Sequence, residues 1–139
     1  MKVVFDTDVI IAGMRSPTGA SAELLRLARH GTLALQLSVP LFLEYEAKCT
    51  MSKHYQAAGL TLDEVYLFLD SIVTFSQAIQ THYLWRPQLR DPADEMVLET
   101  AVNGGVEALV SFNHKDFKNA PAHFGIALLL PAELLRRIQ

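Results

Sequence analysis

Short apolar runs alternate with amphipathic stretches along the chain, and a proline, a glycine or a capping side chain marks most of the switches. Lys2 to Phe5 is a β-branched apolar run that stops at Asp6, as a buried parallel strand does. Ser16 and Pro17 supply an N-cap and a first-turn proline for a helix over Ala20 to Arg29 that ends at Gly31. Leu33 to Leu37 predicts a second strand. Ser38 followed by Pro40 opens a helix carrying Leu41, Phe42, Glu44, Tyr45 and Ala47, with Gly59 in the break beyond it.

Thr61 and Glu64 have the spacing of a capping box, and Leu62, Val65, Tyr66, Leu69 and Ile72 follow at helical intervals. Asp91 and Pro92 begin another helix with Met96, Val97, Leu98 and Ala101 inside it and Asn103, Gly104 and Gly105 at its end. Ala108 to Phe112 and Ile126 to Leu130 predict strands. Pro131 starts a terminal helix through Ile138, with Arg136 and Arg137 near its negative end. This alternation predicts an α/β fold, a parallel sheet flanked by helices. No repeat or linker divides the chain, so one domain over residues 1–139 is expected.

Composition narrows the class. Half of the 139 residues are hydrophobic and 19% are charged, which suits a packed core and excludes a disordered chain. The charge-free stretch from Gly31 to Leu43 falls short of the roughly 20 residues that span a bilayer, so no membrane association is expected. Asp6 and Asp8 interrupt the apolar start at once, which does not suit a secretion signal. Cys49 is the single cysteine, without a partner for a disulfide, and its expected role is packing; a cytoplasmic location follows as the expectation. A net charge of −3 does not suit a protein that binds nucleic acid by counterion release alone.

Ligands of an open parallel sheet collect outside the carboxyl ends of its strands, and there this sequence places acids. Asp6 and Asp8 follow the first strand, Asp91 and Asp94 open a helix, Asn113 and Asp116 follow the strand from Ala108, and Glu44 stands in an apolar helix. Carboxylates without histidine or cysteine at ligand spacing suit a hard cation, Mg²⁺ or Mn²⁺, rather than zinc. Each acid also has a plain structural role open to it. Asp91 before Pro92 is a good N-cap, Asp94 and Glu95 favour the positive end of the helix dipole, Asp6 suits a turn, and Glu44 suits a solvent-facing position. The five histidines lack metal-ligand spacing. Tyr83, Trp85 and Arg86 suit either packing or nucleic-acid contact, and Lys53, His54, Lys115 and Lys118 either solvent or phosphate.

Four segments in order carry a family resemblance: VVFDTDVIIAGMRSPTGASAELL, LSVPLFLEYEAK, LWRPQLRDPADEMVLETA and LVSFNHKDF, the last followed by a strand and PAELL. The sequence resembles PIN-domain (PilT N-terminus) proteins, in the group assigned as toxin components of bacterial toxin–antitoxin systems. The resemblance implies a three-layer α/β/α sandwich with a central parallel sheet. It implies a Mg²⁺- or Mn²⁺-dependent ribonuclease that hydrolyses RNA, single-stranded, to 5′-phosphate and 3′-hydroxyl ends. It further implies a cognate antitoxin as partner and a homodimer. Asp6 matches the family's aspartate at the end of the first strand. Glu44 matches the helical glutamate that follows a serine, here Ser38, and Asp94 matches the acid opening the later helix, with Val97 and Ala101 behind it. Many members have Asp where Asn113 stands, while a subset has Asn with a later Asp-Phe, here Asp116 and Phe117. The implied metal ligands are therefore Asp6, Glu44 and Asp94, with Asn113 or Asp116 in the fourth place, and Asp8 and Asp91 stand second. Thr7 and Ser111 are expected to orient these acids through their hydroxyls.

Two other readings compete. Phe5-Asp6-Thr7-Asp8-Val9 after an apolar strand also suits a haloacid-dehalogenase-type phosphatase, with a nucleophilic Asp and an acid–base Asp two residues on. Such enzymes place a further acid pair after a later strand, whereas here the pair opens a helix. Asn113 in a position usually acidic also suits a PIN fold that binds RNA or an antitoxin without cleaving.

Overall fold

A computed structural model describes residues 1–82 and 87–139. In chain order its elements are β1 (Lys2–Phe5), α1 (Thr7–Arg15), α2 (Ala20–Arg29), β2 (Ala34–Leu37), α3 (Val39–Cys49), α4 (Ser52–Ala57) and α5 (Leu62–Phe75). There follow β3 (Gln77–Ala78), α6 (Pro92–Asn103), β4 (Ala108–Val110), α7 (His114–Phe117), α8 (Ala120–His123), β5 (Ala127–Leu129) and α9 (Pro131–Ile138).

The strands form one five-stranded parallel sheet in the order β3-β2-β1-β4-β5. Its middle is the most apolar part of the chain: Val3, Val4 and Phe5 of β1 and Ala108, Leu109 and Val110 of β4 are fully buried, as strands covered on both faces must be. The chain steps outward from β1 to β2 and β3, then returns past β1 to β4 and β5. Right-handed crossovers in opposite directions put the connecting helices on opposite faces, which gives the expected α/β/α layers. The reversal falls between β1 and β4, paired Val3 to Ala108, Val4 to Leu109 and Phe5 to Val110. A crevice opens outside the carboxyl ends of neighbouring strands at such a reversal.

Several helix ends form as the sequence predicts. Thr61 and Glu64 make the reciprocal capping box of α5, and Asp91 caps α6, accepting from the amide of Ala93 at 2.9 Å. Ser38 caps α3, accepting from the Leu41 amide at 3.3 Å. The start of α2 differs. Ser16 closes α1, its amide donating to Ala12 O, and Gly19 is the residue that precedes α2, with no side-chain cap. The sequence reading assigns no element to residues 7–15, yet Asp6 caps a helix there that buries Val9, Ile10, Gly13 and Met14. With α1 occupying that span, Ser16 and Pro17 belong to the turn between two helices. The strands are also shorter than expected, β2 starting at Ala34, β4 ending at Val110, and β5 confined to Ala127–Leu129. Cys49 is buried in the core, as expected of a packing residue, and burial pushes its thiol up to about 12. Among the described residues no helix is long and apolar enough to cross a membrane.

Candidate metal-dependent active site

Asp6 stands where β1 becomes α1, at the crevice. Its amide donates to Val110 O at 2.9 Å, so the end of β4 fixes its backbone. Its side chain is 7% exposed and accepts from the Thr7 amide at 2.8 Å and from the Ser111 hydroxyl at 2.6 Å. Thr7 thus acts through its backbone amide: its hydroxyl is buried without a hydrogen-bond partner, contrary to the orienting role expected of it. The role expected of Ser111 is present, since its fully buried hydroxyl donates to Asp6 while accepting from the Asn113 amide at 2.8 Å.

The other acids assemble around this pair. One oxygen of Asp8 accepts from the Phe112 amide at 3.2 Å and lies 3.5 Å from the Ser111 hydroxyl, while the other is buried with no partner. Asp94, in the first turn of α6, is 7% exposed and lies 3.5 Å from the Asn113 side-chain amide. Glu44 is half-buried on α3, beside Tyr45, whose hydroxyl donates to the carbonyl of Phe5 and so ties α3 to the end of β1. A second tie joins α3 to α6, Ser38 and Thr100 sharing a hydroxyl hydrogen bond of 2.7 Å. Asp116 is exposed on α7.

The electrostatics follow from crowding like charges at a buried edge. Burial, and then the charge of Asp8, pushes the Asp6 carboxyl up to about 6, with Glu44 adding a smaller push; the Ser111 and Thr7 hydrogen bonds oppose them. Burial and the charges of Asp6, Asp91 and Asp116 push Asp94 up to about 6 as well. Asp8 is raised chiefly by burial. Among the described residues the ion pair is that of Arg26 with Glu23, and none joins a cation to a carboxylate of this cluster. A groove of about 390 Å³ is lined by Asp91, Asp94 and Asp116 together with Arg90, Lys115 and Lys118.

The sequence candidates therefore separate into groups. Asp6, Asp8, Asp94 and Asn113 are joined through the end of β4, and Glu44, Asp91 and Asp116 reach them by charge. Asp91 also fills the capping role open to it. Glu95 faces away: its carboxylate accepts from the amides of Gln88 and Leu89, the latter at 2.7 Å, and fixes the approach to α6. Lys115 and Lys118 line the groove with Arg90, a cation the sequence reading does not single out, whereas Lys53 and His54 lie on α4 and do not. Tyr83, Trp85 and Arg86 lie outside the described residues.

The donors available are hard oxygens, the chemistry that suits Mg²⁺ or Mn²⁺. Two features of the site fit such an ion: the unpartnered buried oxygen of Asp8, and two carboxyls pushed up by burial and by neighbouring like charges. Among the described residues no three His, Cys, Asp or Glu side chains are arranged to hold a metal ion as they stand.

No protein of curated function matches the chain. Among solved structures, the chain is similar to one from the crystal structure of VapBC2 from Rickettsia felis bound to a DNA fragment from their promoter. The sequences are 16% identical, the TM-score is 0.66, and the match covers 92% of this chain and 97% of that one. At this identity the likeness speaks for the fold. A family model described as PIN domain matches residues 2–115, a span that holds Asp6, Asp8, Glu44, Asp94 and Asn113 and stops one residue short of Asp116. The chain belongs to the PIN domain family.

Proposed function

We propose that the protein is a Mg²⁺- or Mn²⁺-dependent endoribonuclease and the toxin of a type II toxin–antitoxin pair. The observation that carries the nuclease reading is the buried cluster of like-charged carboxylates, Asp6, Asp8 and Asp94, at the crevice between β1 and β4. PIN-family membership and the likeness to a VapBC2 chain support the toxin reading. By the same resemblance the chain would act as a homodimer in the cytoplasm, silenced by an antitoxin protein.

Asp6, Glu44 and Asp94 would hold the ion, with Asp8 beside them; Asn113, tied to Asp94, takes the fourth position and Asp116 adds charge at the rim. The bound ion would supply Lewis-acid activation of water and charge neutralisation at the attacked phosphate. Ser111 keeps Asp6 aimed into the crevice, and the Phe112 amide does the same for Asp8. Burial and neighbouring like charge raise the Asp6 and Asp94 carboxyls to about 6, so at neutral pH both are ionised and available as ligands. Family membership weighs against the phosphatase reading, as does the position of Asp94 on a helix.

The test is cleavage of a mixed single-stranded RNA pool in Mg²⁺, Mn²⁺ or EDTA by the wild type, Asp6→Asn and Asp94→Asn, with circular dichroism of each. Metal-dependent cutting that both folded variants lose is the expected result. A folded wild type that cuts nothing in either metal would favour the non-cleaving PIN reading, and hydrolysis of a small phosphomonoester instead would favour the phosphatase.

A further inference from the structure

The segment 112–118 beyond β4 contributes to two hollows, one of which holds acids of the site. The first is the groove of about 390 Å³, where Arg90, Lys115 and Lys118 are exposed beside Asp91, Asp94 and Asp116. Among the described residues none of these cations is in an ion pair, although carboxylates line the same groove. Lys118 stands there at φ 50°, a left-handed backbone that a residue with a side chain adopts at a cost; no other non-glycine among the described residues does so.

The second hollow, about 360 Å³, is walled by Ala12, Phe112, Leu130, Pro131 and Ala132. Phe112 is 52% exposed, and its backbone amide donates to Asp8, so the residue bearing this ring is anchored to the acid cluster. One short stretch of chain thus carries two cations of the groove that holds Asp94 and an exposed aromatic ring whose backbone is tied to Asp8. Cations match phosphates, and an exposed ring matches the face of a base. In a duplex those faces are stacked inside, so an exposed ring can take only a base that is unpaired.

We infer that segment 112–118 is the strand-reading element of the site: Phe112 stacks one unpaired base while Lys115 and Lys118, with Arg90, hold neighbouring phosphates. This inference rests on the nuclease reading above and concerns how the substrate is held. An apolar peptide seated at Phe112 is the rival occupant, and it would give no dependence of RNA binding on this ring.

Binding of a fluorescent RNA of about twelve nucleotides, single-stranded or annealed to its complement, is measured by anisotropy in EDTA across a salt series. The single strand is expected to bind more tightly than the duplex. Lys115→Gln with Lys118→Gln should flatten the slope of log affinity against log salt by about 1.4, at about 0.7 per phosphate contact. Phe112→Ala should weaken single-strand binding about tenfold with the slope unchanged, and Phe112→Trp should restore it. Lys2→Gln, at the opposite end of the sheet, should bind as the wild type does. Equal affinity for duplex and single strand, or unchanged binding in Phe112→Ala, would overturn the inference. Metal-dependent cleavage with binding indifferent to these variants would refute the strand-reading role alone. The expected binding pattern with no cleavage in either metal would refute the nuclease reading and leave the strand-reading role standing.

Discussion

Asp6→Asn should stabilise the metal-free protein at neutral pH and not at pH 4. The folded protein holds the Asp6 carboxyl at about 6, against an ordinary 3.8, in a side chain only 7% exposed. The unfolded chain releases this proton near 3.8, while the folded protein keeps it up to about 6. Below the lower value both states are protonated and folding bears no penalty. Above the higher one both are ionised, and folding bears the full cost of burying the charge. At about 1.4 kcal/mol per pH unit that cost is about 3 kcal/mol for Asp6. An asparagine removes the charge and keeps an oxygen for the Thr7 amide, but its other arm no longer accepts from Ser111. The Ser111 hydroxyl can turn toward the Asp8 oxygen at 3.5 Å, so we set this loss at about 1 kcal/mol. The net gain above pH 6 is then about 2 kcal/mol, shared in part with Asp94, whose own carboxyl is pushed up by Asp6. Urea unfolding in EDTA at pH 7.5 and pH 4 measures it: the variant's midpoint should rise by about 1 M at the higher pH and show no rise at the lower. Equal destabilisation at both values would mean that Asp6 is held for its hydrogen bonds and carries no charge penalty, and the electrostatic argument for the site would fail.

Four further outcomes are expected. Mn²⁺ affinity should strengthen as pH rises through about 6, because ligation requires Asp6 and Asp94 without their protons; calorimetric titration at pH 5 and 7.5 checks this. Ser111→Ala strips Asp6 of its 2.6 Å donor and Asn113 of its acceptor, and should cost about 1–3 kcal/mol in chemical denaturation. Gly104→Ala places a Cβ at 2.9 Å from Thr100 O and 3.1 Å from the Gln36 side chain, so it should cost about 1–3 kcal/mol on the same scale. Lys118→Gly relieves a backbone at φ 50° and should raise stability by about 1 kcal/mol while weakening RNA binding, read by thermal melting and anisotropy.

Local signals in the sequence suffice for much of the fold. Thr61 with Glu64, Asp91 with Pro92, and Ser38 before Pro40 mark helix starts because the capping partners lie within three residues of one another. Helix α1 escapes that reading because Asp6 doubles as a strand end and a cap, and the apolar run of Val9 to Ala12 shows no polar face to mark a helical period. Strand β3 has only two residues and is held by pairing to β2 and by the Gln36 side chain reaching Gln77 at 2.7 Å, a contact with no local sign. The acids are legible as residue types at strand and helix ends. Their mutual arrangement is not: the ties from Ser111 to Asp6 and from Phe112 to Asp8 each join positions more than a hundred residues apart. Arg90 meets Lys115 and Lys118 only because α6 and α7 begin at the same edge of the sheet.

The central claim is that these carboxylates form a centre for a divalent ion. Titration of Mn²⁺ into the metal-free wild type and Asp94→Asn at pH 7.5, followed by electron paramagnetic resonance, tests it most directly. The account predicts saturable binding to the wild type that is lost or weakened at least tenfold in the folded variant. Binding that is absent from the wild type, or equal in both proteins, would contradict it.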